Sequence, residues 1–330
     1  MNAAHPSLTG VPSETLNKIF KTLDYKEILR LRLVSRHLKN YVDTCRPDFH
    51  HKYIFVNVIT NGYFVFFGND VKELERKNHM KKVMSIAGDE DEWNTLETVL
   101  GHQKSPLEVL QLSCEWEENE KTFVRVLEKI QTILTSQNRT LQVKSLKIHV
   151  LNEDHLMRVL PSLDPASLKE IHLEDMLPLS LRREKKVMEI GRMKETVHWQ
   201  RVNEFYAMNF LMNAPQFDDF DHFKTVRIGM DTLKMSDVVM LKEKLFVSPI
   251  HKFISINYRN LVEDAEIPEG HRPFPGVDLY EYRIPNPNQD KHVRLDFMDG
   301  QVSIGIQETV NIGGEDIPVR AMDLDFDDEW

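Results

Sequence analysis

The chain has 330 residues, 41% of them apolar, enough for a packed core spread over one large or two modest domains. It carries 42 Lys and Arg against 52 Asp and Glu, a net charge of −10, which argues against broad binding to nucleic-acid phosphates. Two cysteines, Cys45 and Cys114, lie far apart and supply neither a disulfide framework nor metal-ligand spacing, so a reducing compartment, cytoplasmic or nuclear, is expected. The opening residues MNAAHPSLTG lack the basic and apolar regions of a signal peptide. No run of about 18 apolar residues occurs, so no membrane span or membrane partner is expected.

The first informative stretch runs from Leu8 to Asp43. Pro12, after the apolar pair Leu8 and Val11, suits the first turn of a helix, where a missing N–H costs nothing. Leu16, Ile19, Phe20 and Leu23 then recur at helical spacing and share one face. Asp24 followed by Glu27 predicts a capped start for a second helix. There Ile28, Leu31 and Val34 form one stripe, while Leu29 and Leu33 are apolar and fall off it. A piece of about 36 residues cannot bury two apolar faces by itself, so the surplus face asks for a second protein. The segment is locally basic, with Lys18, Lys21, Lys26, Arg30, Arg32, Arg36 and Lys39 against Glu14, Asp24, Glu27 and Asp43.

The order of residues here, L-x-x-x-P-x-E-x-x-x-x-I-F-x-x-L-D, then L-R-x-V-S-R-x-L-K and a closing Val42-Asp43, resembles the F-box. The resemblance implies three short helices that dock on a Skp-type adaptor hung from a cullin scaffold in a ubiquitin ligase. It places Leu8, Pro12, Leu16, Ile19, Leu23, Leu31 and Val34 at or beneath the adaptor contact, without dividing contact from core.

Residues 44–106 read as a connecting segment. Its β-branched and aromatic run predicts a hairpin around an Asn61-Gly62 turn, followed by a charged, helix-permissive stretch broken by a solvated turn at Gly88–Glu92. From Leu107 the spacing L-x-x-L-x-L recurs as Leu107-Leu110-Leu112, Val143-Leu146-Ile148, Leu168-Ile171-Leu173 and Phe223-Val226-Ile228, with a weaker copy at Ile254 and Ile256. Each is a short strand with alternating inward positions. Between them, Phe123, Val126, Leu127, Ile130, Ile133 and Leu134 form one helical stripe, and Leu156, Val159, Leu160 and Leu163 another. Ser236 and Asp237 are expected to cap a third helix containing Val239, Leu241 and Leu245. Strand, helix, strand in succession is the grammar of a leucine-rich-repeat-like solenoid. The turn position that holds Asn or Cys in a regular leucine-rich repeat is Glu115, Leu151, Met176 and Asp231 here, so the Asn ladder is missing. The 55 residues between Ile171 and Val226 suggest an inserted or degenerate unit around Leu181 to Asn209.

The runs VKSLKIHV, VLPSLDPASLKEIHLED, VHWQRVNEFYAMNF, FDHFKTVRIGM and SDVVMLKEKLFVSP resemble the FTH domain, which follows the F-box in the large nematode F-box A families. The two resemblances imply a substrate-receptor architecture. The expected fold is α+β or α/β: a three-helix F-box at 8–43, the connecting segment at 44–106, an irregular leucine-rich-repeat-like recognition domain at 107–322, and an acidic tail at 323–330. Within the recognition domain, the end from Val277 reads as strands, with Asp299-Gly300 as a hairpin turn.

Catalytic patterns are missing from the sequence: no Gly-rich phosphate loop, H-E-x-x-H, Cys-x-x-Cys or G-x-S-x-G occurs, and no cofactor or metal is implied. Cys45, beside His50 and His51, reads as a small core residue rather than a ubiquitin-accepting thiol. Glu115, Glu117, Glu118 and Glu120 read as a solvated helix start, and Arg182–Lys186 as an exposed helix with i, i+3 pairing. Aromatics outside the strand interiors are the better contact residues. Trp116, Tyr206 and Tyr258 are the expected target-binding residues, and Trp199 is expected in the core. The function that follows is a non-catalytic substrate-recognition subunit with a protein target. The alternatives are a non-degradative tether of the adaptor or of an RNA regulator, and an enzyme with an unrecognised site.

Overall fold

The computed structural model describes residues 11–60, 62–69, 83–85, 93–176, 186–212, 217–247, 253–266, 279–283, 291–298, 300–312 and 315–318. Leu8, the Gly88–Glu92 stretch, Arg182 to Lys185 and the tail at 323–330 lie outside these residues. The chain divides into two compact units, residues 1–169 with 176–181, and residues 170–175 with 182–330.

The first unit opens with three helices, α1 (Ser13–Phe20), α2 (Tyr25–Val34) and α3 (Arg36–Cys45). Pro12 precedes α1, and its carbonyl accepts from the Thr15 and Leu16 N–H groups at 3.0 Å. The capping box at α2 forms as its sequence predicts: Asp24 Oδ1 accepts from Glu27 N, and Glu27 Oε2 from Asp24 N, each at 2.8 Å. Ser35 is extended, so α2 and α3 are separate helices; its hydroxyl caps α3 by accepting from Leu38 N at 3.2 Å. Arg32 holds Asp43 through two bonds of 2.6 and 3.1 Å, clamping α2 to α3.

These helices enclose a small core of Leu16, Phe20, Ile28, Leu38, Tyr41, Val42 and Phe49. Strands β1 (Tyr53–Ile59) and β2 (Gly62–Gly68) follow as an antiparallel hairpin, with Gly62, expected in the turn, already in the strand and paired with Ile59. The sheet of this unit runs β3 (Val83–Ser85), β2, β1, β4 (Leu107–Cys114) and β5 (Val143–Val150). The pair β1 and β4 and the pair β4 and β5 are parallel. Helices α4 (Asn94–His102), α5 (Glu120–Ser136) and α6 (Glu153–Val159) supply the crossovers, and the whole predicted α5 stripe is buried. Of the glutamates at the start of α5, Glu115 and Glu118 are exposed, and Glu117 and Glu120 are half-buried.

In the second unit β6 (Glu170–Asp175), β8 (Glu204–Met212), β9 (Thr225–Lys234) and β10 (Phe253–Val262) are parallel neighbours in that order. Between β6 and β8 the chain forms β7 (Lys186–Met188), which pairs with the end of β8, and two short helices, α7 (Gly191–Lys194) and α8 (Val197–Arg201). Lys186 therefore starts a strand rather than belonging to an exposed helix, because Val187 and Met188 can extend β8. Helix α9 (Met235–Val247) joins β9 to β10 and starts one residue before the expected cap; Asp237 reaches back to the Lys234 N–H at 3.3 Å. Beyond β10 the sheet turns antiparallel through β13 (Gln301–Ile312), β12 (Lys291–Met298) and β11 (Leu279–Arg283), with β14 (Glu315–Pro318) on β13. Gly300, just before β13, has φ +70°, a left-handed geometry that glycine adopts without strain; Asp299, the other residue of the expected turn, lies outside the described residues.

Between Ile171 and Val226, where an inserted or degenerate unit is expected, stands the further strand β8. Val202, Phe205 and Ala207 repeat the inward spacing of the other strands and are buried at 1%, 0% and 0% exposure. Aromatic and alanine side chains hide this copy from a pattern built on aliphatic residues. Trp199, in α8, is core as expected: its indole N–H donates to the Asp219 carbonyl at 3.2 Å, and it meets Phe205, Phe220 and Phe223 edge-on.

Candidate protein-interaction surfaces

The apolar positions of the three N-terminal helices separate into two groups. Leu16 is 1% exposed and belongs to the core, while Leu23 and Leu31 are half-buried against it. Pro12 is exposed, Ile19 is half-buried, and Leu33 and Val34 stand out at 82% and 66% exposure. Leu33, which its sequence position places off the main stripe, is the most exposed large apolar side chain of the described residues. Leaving such side chains in water forgoes about 1.5–3 kcal/mol each relative to full burial, which makes them candidates for a contact.

The exposed charges of these three helices are mainly basic. Lys18, Lys21, Lys26, Arg30, Arg36 and Lys39 are exposed, Asp43 is engaged by Arg32, and Asp24 and Glu27 bond each other's backbone in the cap.

Residues after α3 tie the helices to the adjoining sheet. The Phe49 ring stacks on His102 with centroids 4.3 Å apart, and Phe49 N donates to the His102 carbonyl at 3.3 Å. Gln103, fully buried, accepts from His51 N (3.1 Å) and donates to His51 O (2.9 Å). Arg139 donates to the Leu100 carbonyl at 2.6 Å and to that of Gln103, satisfying the end of α4. His51 itself sits among Tyr25, Phe49 and Phe67, and this burial pushes its pKa down to about 4. Cys45 is exposed, whereas Cys114 is buried and its thiol is pushed up to about 11, away from thiolate chemistry.

A second surface lies on one side of the sheet in the second unit. Helices α8 and α9 pack on the opposite side, around Phe205, Val226, Ile228 and Ile254. On the side away from these helices, His172, Tyr206 and Arg227 are in-register neighbours, and Phe253, two residues off that register, joins their row of planar groups. The His172 ring stacks on Tyr206 at 4.1 Å and 10°, and the Arg227 guanidinium lies 5.7 Å from the Tyr206 ring and 5.2 Å from that of Phe253. Tyr206 donates to Glu204 at 2.6 Å, and burial together with this carboxylate pushes its phenol well above the ordinary range. Of the expected target-binding residues, Tyr206 is thus central to this face. Strand alternation puts Tyr258 on the helix-covered side, and Trp116, 38% exposed, belongs to the first unit. His172, Arg227 and Phe253 escape a search for exposed aromatics because only the pairing of distant strands brings them together.

Two family models match the chain, the F-box domain over residues 8–50 and the FTH domain over residues 124–268. The chain is built as an F-box followed by an FTH domain. No curated protein matches it. F-box domains typically bind Skp-type adaptors in ubiquitin ligases and belong to adaptor subunits rather than enzymes; the FTH domain is a protein-interaction domain. The F-box match ends at His50 and so takes in Phe49, the side chain that completes the core of the three helices. Among the described residues no helix is long and apolar enough to cross a membrane.

Proposed function

We propose that this chain is the non-catalytic substrate-recognition subunit of a Skp-adaptor, cullin and F-box ubiquitin ligase. The observation that carries the reading is the bare apolar surface of Leu33 and Val34 on the F-box helices, with Ile19 half-buried, in a segment whose exposed charges are mainly lysines and arginines. A partner that covers it presents an apolar groove with an acidic rim. The cullin is reached through that adaptor. Residues 107–322 act as a leucine-rich-repeat-like recognition domain, a reading supported by the repeated inward triplets on parallel strands. Their role is to hold a protein target so that its lysines come within reach of a ubiquitin-charged enzyme; the contribution to catalysis is proximity.

Co-purification with a Skp-type adaptor tests the reading. Wild type forms a stoichiometric complex, and Ile19→Asp abolishes it by placing a charge on the apolar stripe. Leu33→Asp, at a position without core contacts, weakens binding roughly 30-fold or more, a loss of about 2 kcal/mol, while leaving the melting transition in place. Both variants binding like wild type, with their fold intact, would sink the assignment.

A further inference from the structure

We propose that Ser35 is a phosphorylation site and that a phosphate there releases the adaptor from the F-box helices. The release rests on the ligase-subunit reading; the site rests on Ser35 and its neighbours alone.

Ser35 separates two helices. α2 ends at Val34 and α3 begins at Arg36, and between them Ser35 has φ −155° and ψ 156°, extended backbone. Its side chain is half-buried, with the bare Leu33 and Val34 before it and the exposed Arg36 and His37 after it. Helix ends fray first, so an enzyme's cleft can take this serine at the cost of one turn on either side. The flanking charge fits one class of enzyme. Arg30 and Arg32 stand five and three residues before Ser35, Arg36 follows it, and Lys39 comes four residues later. Arg30, Arg36 and Lys39 are exposed, and Arg32 is partly exposed while it holds Asp43. Kinases choose substrates by such charge patterns, and an arginine three residues before the serine is the pattern of arginine-directed serine kinases.

The fold accommodates the product. Ser35 Oγ accepts from Leu38 N at 3.2 Å, and the first turn of α3 holds no acidic residue. A phosphate ester offers acceptor oxygens to the same N–H group and lies at the positive end of α3, so the cap survives modification. What changes is the surface. About two negative charges arrive beside Leu33 and Val34, the bare apolar side chains read as the adaptor contact. A partner with an apolar groove and an acidic rim then meets like charge and a hydrated group where it needs apolar cover. In the step itself Ser35 Oγ attacks the γ-phosphorus of ATP held by the kinase. The Oγ–P bond forms as the bond to the β,γ-bridging oxygen breaks, ADP leaves, and the hydroxyl proton passes to the kinase's base.

The full-length chain, treated with ATP and an arginine-directed serine kinase, tests both halves. Peptide mass mapping finds the phosphate on Ser35, and adaptor affinity falls about tenfold or more and returns after phosphatase treatment. The adaptor complex is modified about tenfold more slowly than the free chain, because linkage is reciprocal. Asp and Asn cap a helix as well as Ser does, so Ser35→Asp and Ser35→Asn keep α3 and differ in charge. Ser35→Asp loses affinity about tenfold, while Ser35→Asn binds the adaptor like wild type and takes no phosphate at this position. No phosphate on Ser35 of the folded chain overturns the site. Unchanged adaptor binding after modification, or equal losses in folded Ser35→Asp and Ser35→Asn, overturns the release. If the unmodified chain fails to bind the adaptor, the ligase-subunit reading falls and the release with it, and the mass map still decides whether Ser35 is modified.

Discussion

His51 offers the sharpest test of how the helices are joined to the sheet. It is 1% exposed inside a cage of Tyr25, Phe49 and Phe67, and among the described residues neither ring nitrogen has a hydrogen-bond partner. A buried polar group left unpaired costs about 1–3 kcal/mol, so His51→Phe, which keeps a ring in the cage, stabilises the first unit by about 2 kcal/mol at pH 7. The gain grows in acid. In the unfolded chain the imidazole titrates near its ordinary 6.5, and in the folded chain near 4, so between these values the unfolded state binds a proton that the folded state lacks. Wild type therefore loses stability as pH falls through that window, by about 3 kcal/mol at pH 4, at 1.36 kcal/mol per unit of pKa difference. His102 and His155, also lowered by burial, add slope of the same sign to wild type and variant alike. Only the difference between the two proteins reports on His51. Urea unfolding from pH 7 to pH 4, followed by hydrogen exchange of the β1 amides, measures it. A variant less stable than wild type at pH 7, or a difference that stays flat with pH, refutes the reasoning.

Two further outcomes test the fold. Gly229 lies where β8 shifts register against β9, and a Cβ there would come within 2.1 Å of the Phe210 carbonyl oxygen. Gly229→Ala should cost about 3 kcal/mol or more, visible as a clear drop in the melting midpoint, and an unchanged midpoint would show that the strands do not approach so closely. Deleting residues 1–45 should leave the rest folded but less stable, because Phe49 and His51 lose the cover of Tyr25. An insoluble fragment would show instead that the three helices are part of one inseparable core.

Much of this architecture is legible locally. The Asp24 and Glu27 pair and the α5 stripe each depend on residues within a few positions of one another, where capping and periodicity act directly. The repeat copy at Val202, Phe205 and Ala207 is less visible, since alanine fills an inward position only where a neighbour supplies the missing volume. The division of the F-box leucines into core and surface is not local at all. Leu16 and Ile19 share a helix face by spacing, yet only Leu16 meets Phe20, Ile28 and Val42, because the crossing of three helices decides which side of a stripe is covered.

The sequence by itself determined the motif order, the parallel strand-helix alternation and the surplus apolar surface near the N-terminus, since these follow from residue type and spacing. Tertiary structure alone decided that Leu33 is bare, that His51 is caged, and that His172, Tyr206, Arg227 and Phe253 form one row. The physical reason is the same for each: these properties depend on which distant backbone lies alongside, and strand register and helix crossing set that distance.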